Sequence, residues 1–145
     1  MKVLLLFVMV GIVVAQAPSR QDFKNTIAPM PIGTMKEVMV DIVFPTSNQI
    51  FYVGRKEVKT EADWLDLQNS ALMLGESANL LMTESRLRDK DRWMKDARLL
   101  WEVGNKAFNA AKAKDLEGLK ALNGELYESC QSCHEHYRPG YRRRL

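Results

Sequence analysis

Cysteine is nearly missing from this chain: Cys130 and Cys133 are the only two, and they stand three residues apart. So close a pair cannot staple distant segments, which excludes a disulfide framework and confines whatever the thiols do to one place. Histidine is as scarce, with His134 and His136 alone. A zinc site on the two thiols and His134 would need a fourth ligand, and His136 lies off the helical stripe that carries the other three. No strand-like alternation, internal repeat or low-complexity tract occurs. Charge is close to balanced, at 21 basic and 18 acidic residues, which leaves no electrostatic footprint for nucleic acid.

Long apolar runs are also missing, with one exception. The segment from Val3 to Val14 follows Lys2 and leads to Ala15-Gln16-Ala17, the small-x-small pattern of a signal-peptidase site. It falls short of the ~20 residues that span a bilayer, and the polar segment Pro18 to Asp22 follows at once. A cleaved signal peptide over residues 1–17 is therefore expected rather than a membrane anchor. The expected mature chain is periplasmic and does not span the membrane. Loss of residues 1–17 takes the chain from 145 to 128 residues and, with Lys2, the basic count from 21 to 20 against 18 acidic, a net charge of +2. That length suits one domain with a single core.

Residues 18–33 contain three prolines and no sustained period, and read as an extended leader to a domain over residues 34–145. Thr34-Met35-Lys36-Glu37 fits a capping box, and Met35, Val38, Met39 and Ile42 follow at helical spacing. Helix A is expected from Thr34 to about Val53, kinked near Phe44 because Pro45 removes a donor and crowds the preceding turn. Thr60 opens helix B, with Trp64, Leu67, Ala71, Leu74, Ala78 and Leu81 as its apolar face. Glu84 to Lys90 reads as a solvated charged loop. Helix C, from about Asp91 to Ala113, places Trp93, Ala97, Leu100, Gly104, Ala107 and Ala111 on one face. Helix D begins near Asp115, carries Leu119, Leu122, Leu126, Cys130, Cys133 and Tyr137, and ends at Arg138-Pro139-Gly140. Trp64, Trp93 and Trp101 are expected to fill the core. Gly75, Gly104 and Gly118 each cost roughly 1 kcal/mol inside a helix relative to Ala, and close backbone approach is one reason to keep such a residue. Four helices with short links predict an all-α fold, an antiparallel up-down-up-down four-helix bundle with a kinked first helix.

Cys130-Gln131-Ser132-Cys133-His134 is a C-x-x-C-H haem-attachment pattern. On a helix, positions i, i+3 and i+4 share a face, so two thiols can add to the two vinyl groups of a haem while the imidazole reaches its iron. The main rival is a thiol-disulfide exchanger, for which C-x-x-C is also the signature. Such a site lowers a thiol pKa at a helix N-terminus. Here the pair lies at the C-terminal end of the last helix, where the dipole disfavours a thiolate.

With CQSCHEHYR at the end of the last of four helices, the chain resembles the class II c-type cytochromes, the cytochrome c-prime group, whose motif reads C-x-x-C-H-x-x-Y-R. The resemblance spans the mature chain in architecture and is specific in residues around Cys130 to Arg138. It implies one covalent haem c between helices A and D, with His134 as proximal iron ligand. The family divides into low-spin electron carriers, with a Met from helix A as sixth ligand, and five-coordinate members with an apolar residue there.

Geometry bears on that choice. In an antiparallel bundle the end of helix D is level with the start of helix A. His134 is about 6 Å from the end at Arg138 and Met39 about 7.5 Å from the start at Thr34, so Met39 is the expected sixth ligand and Met35, one turn nearer the end, the runner-up. A thioether opposite a His suits haem iron and raises its potential, whereas a Met on an apolar stripe can equally be core. Arg138 and Arg142 to Arg144 are candidates for the haem propionates or for an acidic redox partner. The expected function is single-electron transfer between periplasmic redox proteins, with no substrate chemistry. The alternative in the same fold is a five-coordinate haem that binds nitric oxide or another diatomic gas, and a homodimer through helices A and B is open.

Overall fold

The computed structural model describes residues 29–138 and 140–141. The expected signal peptide, most of the leader and Arg142 to Arg144 lie outside the described residues. Within them every regular element is helical: α1 (Met35–Glu37), a π-helical stretch (Val38–Val43), α2 (Phe44–Phe51), a 3-10 turn (Val53–Arg55), α3 (Glu61–Leu81), α4 (Arg92–Lys112), α5 (Leu116–Ala121) and α6 (Asn123–Tyr137). The first three run on from one another, as α5 and α6 nearly do, so four helical rods pack together. No described helix is long and apolar enough to cross a membrane.

The first rod opens on the expected capping box: Thr34 Oγ1 accepts the Glu37 N–H at 3.3 Å and the Glu37 carboxylate accepts the Thr34 N–H at 2.7 Å. Pro45 does not break this rod. The backbone ladder widens before it, so that the Phe44 N–H reaches back to the Met39 carbonyl. Pro45 has no N–H to offer, and the Thr46 hydroxyl donates to the Ile42 and Val43 carbonyls at 2.6 and 3.1 Å. The kink expected at Phe44 is thus a π-helical stretch on its N-terminal side. Such stretches are frequent at functional sites, and Met39 lies in this one.

The second and third rods meet most tightly. Trp64, Leu67, Ala71, Leu74, Ala78 and Leu81 of α3 face Trp93, Ala97, Leu100, Ala107 and Ala111 of α4, and all are buried. A methyl group on Gly104 would sit 2.4 Å from the Gly75 Cα, so these two glycines are kept because the two backbones touch. Trp93 Nε1 donates to the Leu81 carbonyl at 2.7 Å at one end of the pair, and Lys114 pairs with Glu61 at the other.

Two expectations need correction here. Trp101 is 41 % exposed rather than core, because it lies about 100° round the helix from Leu100. Helix D is not continuous. Asp115 caps α5 by accepting the Gly118 N–H at 2.8 Å, but the backbone ladder tightens at Leu122, whose N–H bonds the Leu119 carbonyl at 3.2 Å, and restarts as α6. Asn123-Gly124 follows, and both residues are poor helix formers.

Candidate functional site

The first rod and α6 do not close on each other. Between them runs a cleft of about 1250 Å³, with Trp93 of α4 and Arg88 of the α3–α4 connection contributing to its lining. The spacing of the motif puts Cys130, Cys133 and His134 on the wall formed by the last turns of α6, and Met35 and Met39 are on the wall formed by the first rod. Arg138 completes the set, so one space brings together Cys130, Cys133, His134, Met35, Met39 and Arg138. Met39 also shares a smaller void of about 40 Å³ with Cys130, Cys133 and His134, and Met35 does not.

The cleft is charged with one sign. Lys36, Arg55, Arg88 and Arg138 line it, and among the described residues no carboxylate does, although the chain carries nearly equal numbers of acids and bases. Burial pushes the Cys130 thiol up. Burial, followed by the negative charge of Asp96, pushes Cys133 up to about 11. Burial and then the Arg138 guanidinium lower the His134 pKa, which favours the neutral imidazole, the form that binds metals. The arrangement therefore offers two protonated thiols, a neutral imidazole, a facing thioether and four cations to whatever enters.

At the mouth, Tyr137 packs edge-on to Trp93 with ring centroids 4.9 Å apart and donates its hydroxyl to the Asp89 carboxylate, which pushes the phenol up to about 12. Asp89 also accepts the Trp93 N–H at 3.1 Å, and Arg86 donates to the Gly33 carbonyl at 3.0 Å. The segment Glu84 to Lys90 is the exposed loop expected, with Glu84, Ser85, Arg88, Asp89 and Lys90 all open to solvent, yet Asp89 ties it to α4 and α6 and Arg86 ties it to the leader.

Sequence reasoning missed two sets of residues. The first is the rest of the cleft wall: Lys36, Val40, Val43, Ser47 and Phe51 continue beside the Met39 stripe at steps of 3 and 4, a period that was there to be found. The second is Asp96, 2 % exposed, whose signal was an acid three residues after Trp93 on the apolar face of α4. His136 is exposed, with Nδ1 3.2 Å from the Ser132 carbonyl, and no cluster of three His, Cys, Asp or Glu suited to a metal ion occurs among the described residues. Compared with family models, curated proteins and solved structures, the chain finds no match in any of the three.

Proposed function

We propose that this chain is an exported c-type cytochrome, an antiparallel four-helix bundle that holds one covalent haem c in the cleft and carries single electrons between periplasmic redox proteins. The observation that carries the reading is the meeting of the C-x-x-C-H turn of α6 with Met39 across a cleft whose charged lining residues, among those described, are all cations. The bundle reading is supported by the contacts at the two ends of the α3–α4 pair, Trp93 with Leu81 and Lys114 with Glu61.

The residues present fit the group. Cys130 and Cys133 would hold it covalently, His134 and Met39 would be its iron ligands, and Arg138, with Lys36 or Arg88, would balance its propionates. Haem supplies a one-electron couple at its iron when bound. What the chain would add is a pair of iron ligands held by α6 and the first rod, which would limit reorganisation on electron transfer, and a burial that limits where a partner can approach. Against the disulfide-exchange reading stand the two thiols, both raised by burial, since that chemistry needs a lowered one. One observation favours the gas-binding alternative: the cleft exceeds the ~300–1000 Å³ usual for a single ligand, which leaves room beside a haem.

The test is an absorption spectrum of protein made in cells that attach haem. A pyridine haemochrome of the c type, with the weak long-wavelength charge-transfer band of a thioether-ligated ferric haem, is the expected result. A c-type haemochrome without that band, together with ready binding of carbon monoxide when reduced, would select the five-coordinate reading. Protein that accumulates without haem and exchanges disulfides would overturn both.

A further inference from the structure

Asp96 is the one charged side chain buried among the described residues. It sits on the apolar face of α4 between Trp93 and Leu100, where any aliphatic residue would serve packing. Burying a carboxylate costs several kcal/mol unless it is paired and hydrogen-bonded, and an apolar replacement is often no less stable. Stability alone gives no reason for this acid.

Its partners point to the motif. Arg92 Nε donates to both carboxylate oxygens at 3.1 and 3.0 Å, and Ser132 Oγ donates to Oδ1 at 2.7 Å. Arg92 Nη2 reaches Ser132 Oγ at 3.2 Å and closes the ring of three. Ser132 lies between the two cysteines. It is two residues after Cys130, about 200° round the helix, so the thiols face the cleft while the serine faces α4. Asp96 thus grips the attachment turn from behind, and it lines the same small void as Cys133, His134 and Met39.

The charges of the pair do not cancel at the site. The Asp96 side chain is 1 % exposed and that of Arg92 43 %, so water screens the guanidinium far more than the carboxylate. Resting on the haem reading above, we infer that Asp96 is a positioning residue of the haem site, which locks the C-x-x-C-H turn to α4 and holds the reduction potential down by stabilising the more positive ferric state.

The test is redox titration of the holoprotein and two variants. Asp96→Asn removes the charge and nearly keeps the shape; its midpoint should rise, changing the ratio of reduced to oxidised protein at a fixed potential by about tenfold, or about 59 mV for one electron. Arg92→Met removes the screened cation and should move the midpoint the other way. Opposite shifts support the inference, because a merely loosened turn has no reason to respond with opposite signs. Shifts of the same sign, or none in either variant, overturn it. Should Asp96→Asn fail to accumulate, Arg92→Met decides alone: a fall supports the inference and a rise or no change overturns it. A parent protein that takes up no covalent haem removes the haem reading and this inference with it, whereas a haem-loaded parent with unmoved variants removes only this inference.

Discussion

The α3–α4 pair and the pair formed by the first rod with α6 are built to opposite ends. Between α3 and α4 the contact residues are small where the helices cross: Gly75 against Gly104, with Ala71, Ala78, Ala107 and Ala111 fully buried. Small side chains let two backbones approach until they touch. Across the cleft stand Met35, Met39, Phe44, Phe51 and Tyr127, long or aromatic groups, with the two cysteines of α6 among them and a large space between. The first pair is a dry seam that holds the fold. The second is a frame, kept open by side-chain size and by the π-helical stretch that carries Met39.

If that division is right, substitutions should separate cleanly into those that cost stability and those that change the site. The largest effect is chemical: replacing Cys130 and Cys133 together by Ala should abolish covalent haem while the bundle still folds, read by haem staining in a denaturing gel and by far-ultraviolet circular dichroism. Next is the seam. Leu74 is fully buried, and Leu74→Ala should cost about 2–5 kcal/mol in chemical denaturation, with the visible spectrum of the surviving holoprotein unchanged. Gly104→Ala, which drives a methyl into the Gly75 backbone, should cost about 1–3 kcal/mol with the same unchanged spectrum. Met39→Leu is the converse case: under about 1.5 kcal/mol in packing, but loss of the thioether charge-transfer band and new binding of carbon monoxide. A Met35→Leu variant should leave that band in place, and if it alone removes the band the ligand is one turn away.

The smallest effect lies outside both regions. Thr60→Ala removes the capping box of α3, in which Thr60 Oγ1 accepts the Asp63 N–H at 3.1 Å and Asp63 accepts the Thr60 N–H at 2.7 Å, and should cost about 1 kcal/mol. Hydrogen bonds from Thr60 and Lys59 lower the Asp63 pKa below its ordinary 3.8. A depressed carboxyl binds fewer protons folded than unfolded, so its stabilisation is present above pH 3.8 and is lost as pH falls through the folded value. The parent should therefore lose more stability than Thr60→Ala between about pH 5 and 2, as measured by thermal melts across that range.

The apolar faces of α3 and α4, the capping box at Thr34 and the helix starts at Thr60 and Asp115 were all legible, because period and cap chemistry are local properties. The reading that sets Met39 level with the C-x-x-C-H turn needed helical rise together with an antiparallel pairing of the first and last helices, and the choice of Met39 rested on the haem gap that the resemblance implies. Three features were not legible. The widening of the ladder before Pro45 depends on Thr46 and Ser47 finding carbonyls nearby, an outcome that the proline by itself leaves undecided between a kink and a break. The interruption at Leu122 turned on Asn123-Gly124, whose weak helix propensity was hidden inside a continuous apolar stripe. The place of Asp96 on the apolar face of α4 was there to be read, but its partner was not, because Ser132 is 36 residues away and nothing in the pattern of α4 announces which helix will cover an acid on its inner face.

The central claim is that Cys130, Cys133 and His134 serve a covalently held haem. Its most direct test is the intact mass, under denaturing conditions, of the protein purified from the periplasm of haem-attaching cells. The account predicts the mass of the processed polypeptide plus one haem, and the polypeptide alone for the double cysteine variant. A parent protein with the bare polypeptide mass, made in cells that load other c-type cytochromes, would contradict it.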